Sequence, residues 1–171
     1  MMKWTHDTFS NMRQLQEELQ NIPGISKHAG RAQLSYVRAR LEDFIQDKEL
    51  LRVTSKLFYD GHHARAVEEA YKFINNLVKL KASVDQNFDG ANLMRNVFSP
   101  KNPVLKLNTG NSVSEQDEQL GYMEMFAGCI TGIRNPRAHE HEWEDNEVRA
   151  LQLLIFADHL AERVRISSKV R

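Results

Sequence analysis

The sequence predicts an all-α fold, a helical bundle with an N-terminal helical extension that assembles as a dimer. Three observations predict it. Apolar residues recur every three or four positions along most of the 171-residue chain, the spacing of one helix face. That rhythm is broken over residues 89–113, where a short apolar turn is followed by Pro100, Pro103, Gly110 and several asparagines. The last apolar segment holds four consecutive large hydrophobic residues, Leu153 to Phe156, so that helix has more than one side to bury.

The elements follow in order. Phe9, Met12, Leu15, Leu19 and Ile22 form a stripe that stops near Pro23-Gly24, and Leu34, Val37, Leu41, Phe44 and Ile45 form a second. Together they make residues 1–46 the extension, expected to act as an accessory element controlling access to the domain of residues 47–171. Leu50, Leu51, Leu57 and Phe58 mark a helix ending at Gly61. Val67, Ala70, Tyr71, Ile74, Leu77 and Val78 mark the clearest helix, with Glu68, Glu69, Lys72 and Lys79 assigned to its water-facing side. After a short apolar turn at Leu93, Met94, Val97 and Phe98, Val104 to Leu107 suits a short extended piece. Ser112 and Glu115 have the spacing of a capping box, which starts a helix running through Leu120, Met123, Ala127 and Ile130 to Ile133. Pro136 has no N–H to donate and disfavours helical geometry at Asn135, so this helix is expected to end or kink at about Arg134, turning His139 back beside it. A final helix starts after Glu144 or Asp145 and continues to Val164.

Composition narrows the function. With 41% hydrophobic residues the chain can fill a core, and its 23 basic and 23 acidic side chains leave no net field to draw in nucleic acid or an anionic membrane. Acids outnumber bases over residues 111–171, so any RNA contact must be local. The single cysteine, Cys129, excludes an intramolecular disulfide and a cysteine-based zinc finger, and among Phe126, Ala127 and Ile130 it reads as a small buried hydrophobe. The start Met1-Met2-Lys3-Trp4-Thr5-His6 lacks the apolar run of a signal peptide, and no stretch of about 18 apolar residues is present to span a bilayer. A cytoplasmic protein with no membrane contact is expected.

Arg134-Asn135-Pro136-Arg137-Ala138-His139 carries the chemistry. The planar guanidinium matches phosphate oxygens, and imidazole exchanges a proton near neutral pH. RNA cleavage by the neighbouring 2′-hydroxyl needs a base for that hydroxyl, an acid for the departing 5′-oxygen and a cation for the phosphate, without a metal or other cofactor. One histidine cannot serve both sides of one phosphorus, and a symmetric dimer that brings two pairs to one cleft solves this. His62, Arg65, Arg137 and His141 are candidate substrate-binding residues, although Arg65, Arg137 and Lys72 read as exposed charges. Trp143 reads as a hydrophobic lock before the last helix more readily than as a base-stacking platform. His139, Glu140, His141, Glu142 and Glu144 lack the His-Glu-x-x-His spacing of a zinc helix and read as an acidic surface turn.

The Arg-Asn-Pro-x-Ala-His string between two apolar helices resembles the signature of the HEPN superfamily: Arg, a polar residue, three to five further residues, then His. Residues 47–166 also resemble its Ymh-like family of uncharacterised bacterial proteins. That likeness lies in Phe58-Tyr59-Asp60-Gly61-His62 leading into a helix with Ala66, Val67 and Ala70, in Gly90-Ala91-Asn92-Leu93-Met94, and in Arg134 to His139. The resemblance implies a helical bundle that dimerises through the motif-bearing helices, and commonly a metal-independent endoribonuclease serving in toxin–antitoxin, phage-defence or abortive-infection systems. By this carry-over Arg134 and His139 are catalytic and Asn135 orients them; RNA, possibly tRNA, is the substrate, and an antitoxin or defence-system protein is the partner. One subgroup carries a modified Tyr two residues past the His, a position held here by His141. Other members only bind, which gives the alternative of a non-catalytic dimerisation or adaptor module.

Overall fold

A computed structural model describes residues 40–85 and 87–170. The Phe9–Ile22 stripe, and Leu34 and Val37 of the second stripe, lie outside the described residues. The elements are α1 (Leu41–Phe44), α2 (Lys48–Tyr59), α3 (His63–Ala82), α4 (Gly90–Val97), β1 (Leu105–Lys106), α5 (Val113–Cys129), a π-helical turn (Ile130–Arg134), α6 (Asn135–His139), α7 (Glu147–Ile166) and β2 (Ser168–Lys169). The fold class is all-α, and none of the described helices is long and apolar enough to cross a membrane.

Helix α2 begins where the Asp47 carboxylate accepts hydrogen bonds from the backbone N–H of Glu49 and Leu50, and it buries Leu50, Thr54 and Phe58 on one stripe. It ends at Gly61, whose φ of +85° is the left-handed conformation that glycine adopts without strain. The same Asp47 accepts from Arg165 near the end of α7, and Asp158 of α7 accepts from the backbone N–H of Gln46 and Asp47. Leu41 and Ile45 are fully buried in the same core.

Helix α3 is the central element, touching α2, α4, the π turn, α6 and α7. Ala66, Val67, Ala70, Tyr71, Ile74 and Val78 are buried along it, and the Tyr71 hydroxyl donates to the Leu153 carbonyl at 3.0 Å. Contact on so many sides corrects the water-facing assignment of Glu68 and Lys79, which are both buried. Each is paired: Glu68 with Arg65 and Lys72, Lys79 with Asp89.

Ser112 and Glu115 form the expected capping box: the Ser112 hydroxyl accepts from the Glu115 N–H at 3.2 Å, and the Glu115 carboxylate accepts from the Ser112 N–H at 3.0 Å. The extended piece at Val104 to Leu107 contains β1, paired antiparallel with β2, a strand whose two residues, Ser168 and Lys169, carry no readable pattern. Buried Gln119 pins the loop before α5. Its amide donates to the carbonyls of Phe98 and Leu105 at 2.9 and 3.1 Å, and its oxygen accepts from the Leu107 N–H at 2.9 Å. Replacing Gln119 with leucine keeps the volume but strands three backbone groups, so urea unfolding should show a loss of about 3 kcal/mol.

Helix α7 buries Ala150, Leu154, Ala157, Leu160, Ala161 and Val164, half-buries Leu151, Leu153 and Phe156, and leaves Val148 and Ile155 exposed. Its apolar residues thus reach round to a second side.

Candidate functional site

The motif forms the last six residues of a helix and is not split by a helix stop. Helix α5, the π turn and α6 run without a break from Val113 to His139, and Asn135 keeps right-handed helical angles (φ −62°, ψ −43°) despite the proline that follows. This corrects the expected stop or kink at Arg134. A proline removes one helical N–H and crowds the carbonyl four residues back. The wider π turn, in which the Asn135 N–H reaches the Ile130 carbonyl, loosens the helix just ahead of Pro136 and lets it sit in the first turn of α6. The chain leaves helical geometry at Glu140 (φ −103°, ψ 111°). His139 is therefore not turned back beside Arg134. Five residues of regular helix separate the two by about 7.5 Å along the axis and about 140° around it.

Arg134 is half-buried and His139 exposed. The Arg134 guanidinium donates to the Asn135 side-chain oxygen at 3.2 Å. Arg134 faces a cavity of about 200 Å³ together with Ile130 and with Lys72, Asn75 and Asn76 of α3 and Asp89. Arg52, Arg65, Arg137, Arg149, Arg163 and Arg165 each meet a carboxylate. Among the described residues Arg134 meets none, which leaves its charge available to an anion from solution.

His62, Arg65, Arg137 and His141 come together elsewhere, around a second, open cavity of about 710 Å³ that also involves Trp143, Glu144 and Asp145. They differ in what they can offer. His62 and His141 are exposed. Arg65 is exposed but held by Glu68 at 2.6 Å and Glu69 at 2.8 Å. Burial pushes the Glu68 carboxyl up, yet Lys72 and Arg65 outweigh that and hold it below the usual carboxylate range. Arg137 is buried, against the expectation of an exposed charge. Its Nε and Nη2 donate to the two Asp145 oxygens at 2.6 and 2.8 Å, and Nη1 donates to the Ile133 carbonyl at 2.6 Å. The unbroken helix explains this, since it places Arg137 one turn beyond Ile133 on the inward side. Trp143 is half-buried, with the Arg137 and Arg149 guanidinium groups 5.3 and 5.9 Å from its ring centre. Cys129 is buried as expected, and desolvation pushes its thiol up to about 12. Among the described residues, no three His, Cys, Asp or Glu side chains are grouped to hold a metal ion.

Sequence reasoning missed the α3 residues beside Arg134. The available signal was the Asn75-Asn76 pair, poor helix formers at the centre of a strong helix, with Asn75 one turn after buried Tyr71.

Residues 46–164 match a family model described as "Protein of unknown function (Hypoth_ymh)". The chain belongs to the Hypoth_ymh family. Neither the curated proteins nor the solved structures gave a match. The Hypoth_ymh match takes in Arg134, Asn135, His139 and every residue around both cavities.

Proposed function

We propose that this protein is a metal-independent endoribonuclease of HEPN type that acts as a homodimer, in the role of a toxin or phage-defence effector. The observation that carries this reading is the state of Arg134: a half-buried guanidinium bonded to Asn135, facing a cavity, that forms no ion pair among the described residues, the Asp89 carboxylate at the same cavity being paired with Lys79. Such a cation suits a phosphate. In the reaction the 2′-oxygen bonds to phosphorus, the bond from phosphorus to the 5′-oxygen breaks, and the proton of the 2′-hydroxyl is exchanged for one delivered to the leaving 5′-oxygen. Arg134 steadies the non-bridging oxygens. An exposed His139 on each of two copies supplies the base and the acid.

The second copy has a suitable surface. Gly121, Gly128 and Gly132 lie on the outer side of α5 and the π turn, with open space where a Cβ would project, and exposed Met125 lies among them. Glycines there let two helix backbones approach closely, and exposed Val148 and Ile155 of α7 add apolar area. Light scattering should give twice the 19.8 kDa chain mass at micromolar concentration, and Gly128→Glu should shift it to the single-chain mass. A monomeric wild type removes the composite site. The ribonuclease reading itself is tested by incubating the protein with total RNA and tRNA in EDTA and identifying the ends produced; 2′,3′-cyclic phosphate and 5′-hydroxyl ends are expected.

The second reading is a non-catalytic adaptor that docks on a protein partner such as an antitoxin. Exposed Glu140, Glu142 and Glu144 directly after His139 favour it, because they place negative charge where an RNA strand would pass. Failure to cleave any RNA, together with retained dimerisation, selects this reading.

A further inference from the structure

The cavity between α3 and the π turn can be assigned by following its charges. Arg65 and Lys72 face Glu68 and Glu69 in a closed network, with Lys72 Nζ 2.8 Å from Glu68 and 3.1 Å from Glu69. Asp89 faces Lys79 at 3.4 Å and accepts from the Gly90 N–H at 2.8 Å, and Asn75 bonds it as well. Burial pushes the Asp89 carboxyl up, but these donors outweigh it and hold it ionised below the usual range. With two cations against two carboxylates in the first group and one against one in the second, the charge left over at the cavity is that of Arg134.

Its size and donors narrow the ligand. About 200 Å³ falls short of the roughly 300–1,000 Å³ typical of pockets for organic ligands, but it admits one tetrahedral oxyanion. Two of the three Lys72 N–H groups are directed to Glu68 and Glu69, which leaves one for a ligand. Asn75 is committed to Gly90 and Asp89, whereas Asn76 is exposed at the rim with its amide free to turn inward. Arg134, Asn76 and the remaining Lys72 N–H therefore form a donor set with an uncompensated positive charge.

We infer that this cavity is a phosphate-binding subsite in which Asn76 and Lys72 of α3 hold the same phosphate group as Arg134. That the phosphate belongs to an RNA strand rests on the ribonuclease reading; the binding of the anion does not. The test is calorimetric titration of the full chain with inorganic phosphate at constant ionic strength, alongside RNA cleavage by the same variants. Wild type should bind phosphate saturably. Asn76→Asp, which offers Arg134 a carboxylate, should weaken binding at least about tenfold, and Arg134→Gln should do the same. Arg95→Gln, on the exposed side of α4, should bind as wild type does. Circular dichroism on each variant reports the fold, and Asn76→Ala serves as the milder second variant, expected to weaken binding to a smaller degree. No saturable binding by wild type, or unchanged binding in both Asn76 variants, overturns the subsite. Loss of binding in Asn76→Asp where wild type cleaves no RNA supports the subsite and removes the ribonuclease; cleavage with binding indifferent to Asn76 does the reverse.

Discussion

His139→Ala should lower RNA cleavage at least about a hundredfold while leaving the dimer and its unfolding midpoint unchanged. The side chain is exposed, so its removal costs little stability and deletes the one imidazole in the motif. The same substrate with every 2′-hydroxyl replaced by hydrogen should be inert, because the nucleophile is gone. Arg134→Lys should be nearly as inactive. A lysine restores the charge but neither the planar fork nor the bond to Asn135. Full activity in His139→Ala, cleavage of an all-deoxy strand, or a strict requirement for a divalent metal would each sink the mechanism.

The helices were legible because their signals are local. The stripes of α2 and α3, the glycine stop at Gly61 and the capping box at Ser112 each depend on residues within a turn or two of one another. The motif residues could be picked out as candidates for the same reason, since Arg134, Asn135 and His139 sit within six positions. What failed were inferences that needed tertiary packing. Pro136 reads as a helix stop, and only the π turn, packed on α3 and α4, lets the helix pass through it. Arg137 reads as an exposed charge because its partner Asp145 lies in the loop beyond the helix. Glu68 and Lys79 read as solvated because nothing in α3 alone says that it is enclosed on several sides. The residues around Arg134 come from α3 and the start of α4, distant in sequence from the motif, and a stripe-based reading of α3 ranks its asparagines as surface filler.

Arg137→Ala should be the most destabilising single change in the motif, at about 3 to 5 kcal/mol by urea unfolding, although Arg137 is the motif's second arginine and invites a substrate-binding role. Its side chain is 2% exposed and that of Asp145 is 0% exposed, so the variant leaves a buried carboxylate facing a void. Exposed Arg149, 3.4 Å from Asp145, compensates only in part, which places the expected loss toward the lower end of that range. Ile133 loses a hydrogen bond to its carbonyl, and Trp143 loses the nearer of its two cations. A double variant, Arg137→Met with Asp145→Leu, removes both charges and fills the space, so it should recover most of the loss; recovery in the double variant but not the single one identifies the pair as scaffold. The outcome separates the two arginines of the motif by function: Arg134→Gln should leave the unfolding midpoint near wild type and remove phosphate binding, whereas Arg137→Ala should lower the midpoint. An Arg137→Ala protein that unfolds at the wild-type midpoint yet loses RNA binding would return Arg137 to the substrate-binding set.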